Sequence, residues 1–367
     1  MATMLKSTKN VNLIEFKNGV KTEKINDTVL IMQSIIPYSI RDELNVSSST
    51  KLVFWTLFHY NLIPSFMPID GLRNIHHNSK IFKKIYYYLN KSFYDIFLEF
   101  IINLQKKSSL FFMDSSTFFI TNNFLSLDIS KPKILPICVD LSKKEKRISR
   151  ENSINICWVG RIEDFKTSIL NFCLLEAYSF ANKTKYKINF HIVGYGKDKN
   201  RIKSSTKKNQ YFTPFFVDSM DVNSTKNFLL KNIDLVMSMG TAALDSGKLG
   251  IPTVLLDASY KKIPKNYKFK WLYESDGSNV ARFIENKEFE NNNHSIDQII
   301  YAYFKESDYL GLKCREYVEK NHSTKVVAEN LLKYTDSSQF TWGEINDKLL
   351  KKSFFRKVYE KKRNKNI

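Results

Sequence analysis

The sequence predicts an α/β chain of two domains, each built round a mainly parallel sheet. Three observations carry this. The chain has 367 residues, a length that suits two domains, and 43% of them are hydrophobic, enough for two cores. From Asn155 onward, short apolar runs alternate with stretches of helical spacing, the pattern of β-α-β units. The runs ending Trp158-Val159-Gly160, His191-Ile192-Val193-Gly194 and Thr253-Val254-Leu255-Leu256-Asp257 are almost wholly apolar, as strands covered on both faces are.

In the first half, Val29–Ile35, Lys51–Phe58, Ser108–Met113 and Lys133–Val139 are candidate strands, and the aromatic block Ile81–Leu104 is helical. Together they define an N-terminal domain over 1–141. Ser142–Glu151 is charged and unpatterned and reads as a linker over 142–151. In the second half Ile154–Val159 is a strand, and Thr167–Ala181 places Ile169, Leu170, Phe172, Cys173, Leu174 and Ala177 at helical spacing. Lys187–Val193 is a strand, Lys197–Lys208 a polar helix, Tyr211–Val217 a strand and Val222–Lys231 a short helix. Ile233–Met237, Thr241–Leu249 and Ile251–Leu256 follow as strand, helix and strand, and Ser295–Tyr334 is helical. The second domain spans 152–340, and 341–367 is a basic tail.

The formal net charge is +20, from 57 Lys+Arg against 37 Asp+Glu. Such a surplus suits an anionic partner: nucleic acid, an acidic membrane face or a phosphorylated substrate. A coding bias is the plain alternative, since Lys, Asn, Ile, Phe and Tyr are abundant together, so local clusters decide more than the total. No helix-turn-helix, zinc-finger or ribonucleoprotein motif is visible, and no nucleic-acid partner is expected, with a basic nucleic-acid-binding protein kept as a rival reading on the charge. Cys138, Cys157, Cys173 and Cys314 form no C-x-x-C pair, and no His stands at zinc-ligand spacing. A reducing compartment without disulfides or structural metal is expected. The first residues hold no apolar run of signal-peptide length, and Ile81–Leu104 carries Lys83, Lys84, Lys91, Asp95 and Glu99, too many charges for a membrane span. A cytoplasmic protein, soluble or lying on a membrane surface, is the expectation.

Three motifs carry candidate chemistry. Gly160 ends a strand at the carboxyl edge, where open α/β sheets bind ligands, and Arg161 and Lys166 flank the next helix start. Two cations beside a helix N-terminus suit a diphosphate, although a surface Arg and Lys in a lysine-rich chain explain them as simply. Gly194-Tyr195-Gly196 permits a tight turn and close approach to a ligand, or an ordinary strand-to-helix turn. Met239-Gly240-Thr241-Ala242 is a small-residue turn opening a helix whose free N–H groups suit phosphate oxygens. Asp245, one turn in, suits ribose hydroxyls or is a solvated carboxylate that the helix dipole favours anyway.

This order resembles the C-terminal half of GT-B-fold glycosyltransferases, family 4-like: Gly160-Arg161 with Lys166, then Gly194-Tyr195-Gly196, then small residues, Asp245 and Gly250-Ile251-Pro252 before an apolar strand. Ile137-Cys138-Val139-Asp140 also looks like the family's segment entering its second domain. The resemblance covers roughly residues 134–260. It implies two Rossmann-like domains facing across a cleft, with a nucleotide-sugar donor on the second. The diphosphate would meet Arg161, Lys166 and the Gly240–Ala242 amides, and the ribose Asp245. It further implies no metal and no cofactor, the leaving diphosphate being stabilised by basic side chains and a helix end. One departure stands out. The family carries two acidic residues eight positions apart, and Met237 occupies the first position. That leaves the donor sugar and the stereochemical outcome open, and admits a degenerate partner subunit.

On the acceptor side, His59 ends the apolar run Leu52–Phe58, and Asp114 follows Leu110–Met113. Both are strand-end candidates for hydrogen bonding or proton transfer, with a structural His equally compatible. Ile81–Leu104, continued by Lys106 and Lys107, and Lys348–Ile367, with nine Lys/Arg and one Glu, each mix basic and apolar residues. Such helices suit an anionic membrane surface, or packing of the tail on the N-terminal domain. The expected function is transfer of a hexosyl group from a nucleotide-sugar to a lipid-linked, lipopolysaccharide- or capsule-type glycan.

Overall fold

The computed structural model describes residues 20–33, 44–58, 61–62, 80–129, 131–141, 153–284, 291–346 and 349. His59, the linker over 142–151 and most of the basic tail lie outside the described residues. The chain divides into two compact units: Met1–Phe112 with Thr117–Ile134 and Leu331–Ile367, and Met113–Ser116 with Leu135–Asn330.

The first unit holds a four-stranded parallel sheet in the order β1-β2-β3-β4, with β1 Val29–Met32, β2 Lys51–Thr56, β3 Leu110–Phe112 and β4 Lys133–Ile134. The helix α1, Lys80–Lys106, presents Tyr94, Phe97, Phe100, Ile101 and Leu104 inward, a three-and-four spacing that builds one apolar face. Phe100 packs edge-on against Phe54 of β2, with ring centroids 5.4 Å apart. A second helix, α2 (Ser115–Leu125), follows β3. The segment around Phe340 closes the start of the sheet: the Leu52 N–H donates to the Phe340 carbonyl (2.8 Å), and Phe340 packs on Phe100 at 5.6 Å.

The second unit is a doubly wound sheet in the order β10-β9-β8-β5-β6-β7. Its strands are β5 Ile154–Val159, β6 Ile188–Val193, β7 Phe212–Val217, β8 Leu235–Ser238, β9 Thr253–Leu255 and β10 Lys270–Trp271. All pair in parallel except β10, which runs antiparallel to β9. Its helices are α3 Thr167–Thr184, α4 Lys199–Ser205, α5 Val222–Asn232, α6 Thr241–Lys248 and α7 Ile296–His322, while α8, Thr324–Asp336, begins in this unit and ends in the first. The chain runs from β5 to β7 and then turns back to β8, so strand order reverses between β5 and β8. Such reversals open the crevice in which α/β sheets bind ligands.

Local chemistry sets the helix ends. Asp221 caps α5 by accepting from the Asn223 and Ser224 amides, and Ser295 with Gln298 forms a capping box on α7. The interior rests on close backbone approach. A Cβ on Gly311 of α7 would lie 2.1 Å from the Gly250 carbonyl oxygen, and one on Gly247 of α6 would lie 2.5 Å from Leu272. Beneath α6 and α7, Ala243, Leu244, Leu255, Leu272, Cys314 and Val318 form one buried cluster. The α/β class with two Rossmann-like units is as the sequence predicts. Local differences are a shorter β4, a split of the last helical stretch at Ser323, and α2 and β10, which the pattern did not reveal.

Candidate functional site

The carboxyl edge of the second sheet brings together the β5, β6 and β8 turns. Gly160, Gly194 and Gly196 have φ of 158°, 154° and 152°. The β5 and β6 turns lie directly on one another: the Gly160 N–H donates to the Val193 carbonyl (3.1 Å), Ile162 to Tyr195 (2.8 Å) and Asp198 to Ile162 (3.1 Å). A Cβ on Gly194 would stand 2.0 Å from the Gly160 carbonyl oxygen, and one on Gly196 2.4 Å from that of Ile162. The glycines therefore already serve contact between two turns. Between them, the Tyr195 side chain points outward and is 61% exposed.

After Gly160, Arg161 is exposed and its guanidinium donates to Glu163 (2.8 Å). Asp164–Lys166 forms a 3₁₀ turn leading into α3. Lys166 is part-buried and sits 5.9 Å from the centre of the Phe165 ring. Burial lowers its pKa, the Arg161 charge lowers it further, and Glu163 opposes both. No side chain caps α3, whose first residue Thr167 instead donates its hydroxyl to Asp198 (2.9 Å). The arrangement is a desolvated cation beside an uncapped helix start, which favours an anion.

Across the reversal, β8 passes into α6 through only Met239 and Gly240. Gly240 takes the left-handed φ of 65°, a value that favours glycine, and its N–H donates to the Val280 carbonyl (2.7 Å). No side chain caps α6, and the Ala243 and Leu244 amides are the first to bond back, both to Gly240. Among the described residues, the Thr241 and Ala242 N–H groups have no acceptor. Asp245 is half exposed and held by Lys248 at 2.6 Å. Met237, where the sequence resemblance leads one to expect an acid, is fully buried in β8 opposite Val254. Met239 is buried as well.

Of the other candidates, Asp114 is 1% exposed and falls in the second unit. Beside it the Asn279 side chain accepts from the Ser116 N–H (3.0 Å), capping α2, and the Tyr317 hydroxyl donates to the Gly277 carbonyl (2.8 Å). Burial pushes that hydroxyl up to about 12, and Asp114 adds to the rise. Asp114 thus sits in a buried polar cluster. Sequence reasoning missed a further network beyond β9. Asp257 accepts from Arg282 (3.3 Å), Asn292 (2.7 Å) and the Tyr267 hydroxyl (3.2 Å), and Arg282 donates to Asn292 (2.7 Å), all four buried. Its one signal in the sequence is a carboxylate closing an apolar strand. Among the described residues, no group of three or more His, Cys, Asp or Glu is placed to hold a metal ion.

A doubly wound sheet with glycine turns at its reversal, in a chain of two Rossmann-like units, is the architecture of the GT-B glycosyltransferases. Solved structures of that kind match the chain. Two of Staphylococcus aureus TarM, one of them a point mutant in complex with fondaparinux, α-GlcNAc-glycerol and UDP, align with TM-scores of 0.52 at 14% identity. They cover 85% of this chain, which spans 56% of the TarM chain. The lipopolysaccharide outer core galactosyltransferase WaaB, in its apo form, aligns over 86% of this chain and 99% of its own at 12% identity, with a TM-score of 0.41. At these identities the likeness is one of fold. No family model and no curated protein matches the sequence.

Proposed function

We propose that the chain is a glycosyltransferase, family 4-like, that binds a nucleotide-sugar on its second unit and passes the hexosyl group to a glycan or lipid-linked glycan. One observation carries this reading. The part-buried Lys166, with Arg161 beside it, and the uncapped start of α6 flank the reversal of strand order between β5 and β8. Both supply positive charge or free donors, and both suit a diphosphate. Gly160, Gly194 and Gly196 shape the floor, and Asp245 is the ribose candidate once Lys248 yields it. Lys166 stabilises the charge that grows on the leaving diphosphate, without a metal or cofactor. UDP, the nucleotide in the TarM complex, is the first ligand to test.

On the acceptor side the remaining candidate is His59, outside the described residues, since Asp114 is buried in the second unit, and the membrane side rests on α1. Ile81, Lys84, Tyr88 and Lys91 are exposed at three-and-four spacing on that helix, apolar and cationic together. This face suits the anionic cytoplasmic surface of a membrane, where each Lys adds about 1 kcal/mol. No helix among the described residues is long and apolar enough to cross a membrane. A thermal-shift screen over UDP-, GDP-, CMP- and ADP-sugars tests the reading. Stabilisation by one nucleotide series supports it, and none by any, alongside salt-sensitive nucleic-acid binding, overturns it. A second reading, a catalytically degenerate partner subunit, is favoured by buried Met237. Hydrolysis or transfer of a bound donor by the purified chain would dismiss it.

A further inference from the structure

The turn after β9 presents an aromatic ring that the donor site as proposed does not use. The Ser259 N–H donates to the Phe165 carbonyl (3.0 Å), tying this turn to the residue before Lys166. Tyr260 follows. Its ring meets Phe165 edge-on at 5.7 Å and stacks on Phe283 at 5.7 Å with planes 12° apart. It is nonetheless 42% exposed.

The turn is built rigidly. The Ala258 N–H donates to the Arg282 carbonyl (2.6 Å), and Ile284 donates back to Ala258 (3.0 Å). The Ser259 hydroxyl accepts from the Lys261 N–H (3.0 Å), closing the turn round Tyr260. Beneath it lies the buried network of Asp257, Arg282, Asn292 and Tyr267. A half-exposed ring held this firmly is preorganised to meet a flat partner.

Position names the partner. Strand order is β9-β8-β5-β6 across this edge. The two central strands carry the Gly240 and Lys166 turns, and the two flanking strands carry Tyr260 and Tyr195. Three strand spacings separate the flanks, roughly 14 Å. A nucleotide-sugar has the same plan: one diphosphate in the middle and a ring system at either end. The end nearer the leaving phosphate is the sugar, and Lys166, the desolvated cation, adjoins Phe165 and so Tyr260.

We infer that Tyr260 is a specificity-determining residue that packs its exposed ring on the sugar of the donor, while the nucleoside lies toward Tyr195. This rests on the donor site proposed above.

The test is calorimetry on the full chain with UDP, UDP-glucose, UDP-galactose and UDP-GlcNAc, using wild type, Tyr260→Leu and Tyr260→Phe. Tyr260→Leu keeps apolar contact with Phe165 and Phe283 but removes the flat ring, and a thermal melt confirms its fold. The expected result is a loss of roughly tenfold for the best-bound UDP-sugar in Tyr260→Leu, UDP affinity unchanged, and recovery in Tyr260→Phe. Equal losses for UDP and UDP-sugar place the ring on the nucleoside and overturn the inference, as does no loss for either. Wild type that binds none of the four ligands removes the UDP-sugar donor site, and the inference with it.

Discussion

Replacing Gly194 by alanine should be among the costliest single changes in the second unit, and replacing Gly240 distinctly cheaper. Both glycines hold backbone conformations that an L side chain rarely adopts, at φ of 154° and 65°. Each substitution therefore stores strain of about 1–3 kcal/mol. They differ in what the new methyl meets. At Gly240 nothing lies within 4 Å of it, whereas at Gly194 it would stand 2.0 Å from the Gly160 carbonyl oxygen. The β5 and β6 turns would have to part, straining the Gly160-to-Val193 and Ile162-to-Tyr195 hydrogen bonds. At about 0.5–1.5 kcal/mol each, those bonds put Gly194→Ala about 1–3 kcal/mol below Gly240→Ala. Urea unfolding followed by tryptophan fluorescence reads this directly, since Trp158 is buried in β5. Equal midpoints for the two variants would refute the reasoning, for the turns would then not be packed as described.

Lys166→Ala and Asp245→Ala should each weaken nucleotide binding at least about tenfold, or ~1.4 kcal/mol, by calorimetry; unchanged affinity in both would remove the site. Because burial lowers the Lys166 pKa from its usual 10.5, its charge is lost earlier on raising the pH. Affinity for a diphosphate should accordingly fall in a window below 10.5 in wild type, and Lys166→Arg should shift that fall upward. Phe340→Ala empties a buried aromatic site against Phe100 and should cost the first unit about 3–5 kcal/mol by denaturant unfolding. Asp257→Ala leaves Arg282 charged and buried without its carboxylate and should cost about 3–5 kcal/mol, with Asp257→Asn milder.

The sequence was most legible where local pattern and tertiary role coincide. The strands β5, β6 and β7 were visible because continuous apolar runs ending in glycine or a polar turn leave few alternatives. Elements fixed by distant partners were not. The helix α2 has no strong periodicity in Ser-Ser-Thr-Phe-Phe-Ile-Thr-Asn-Asn, and its start is capped by Asn279, 163 positions away. The last helical stretch breaks at Ser323 because the Val139 N–H takes the His322 carbonyl (2.8 Å) and Thr324 donates to the Val139 carbonyl (3.3 Å). β10 is two residues long and exists only as the antiparallel partner of β9. At the site, the cations and glycines were readable as residue types. That the glycines face a neighbouring turn depends on partners the sequence does not pair, whereas the Asp245–Lys248 pair, three positions apart on α6, lies within reach of helical spacing.

The two-residue passage from β8 to α6 bears on how this site can change over time. Met237 is enclosed in the strand, so an acid arriving there by a single codon change would be entombed among apolar neighbours instead of displayed to a ligand. A substitution at Met237 alone therefore cannot bring a carboxylate to the sheet edge. Displaying an acid there would require an insertion that lengthens the Met239–Gly240 passage into a loop.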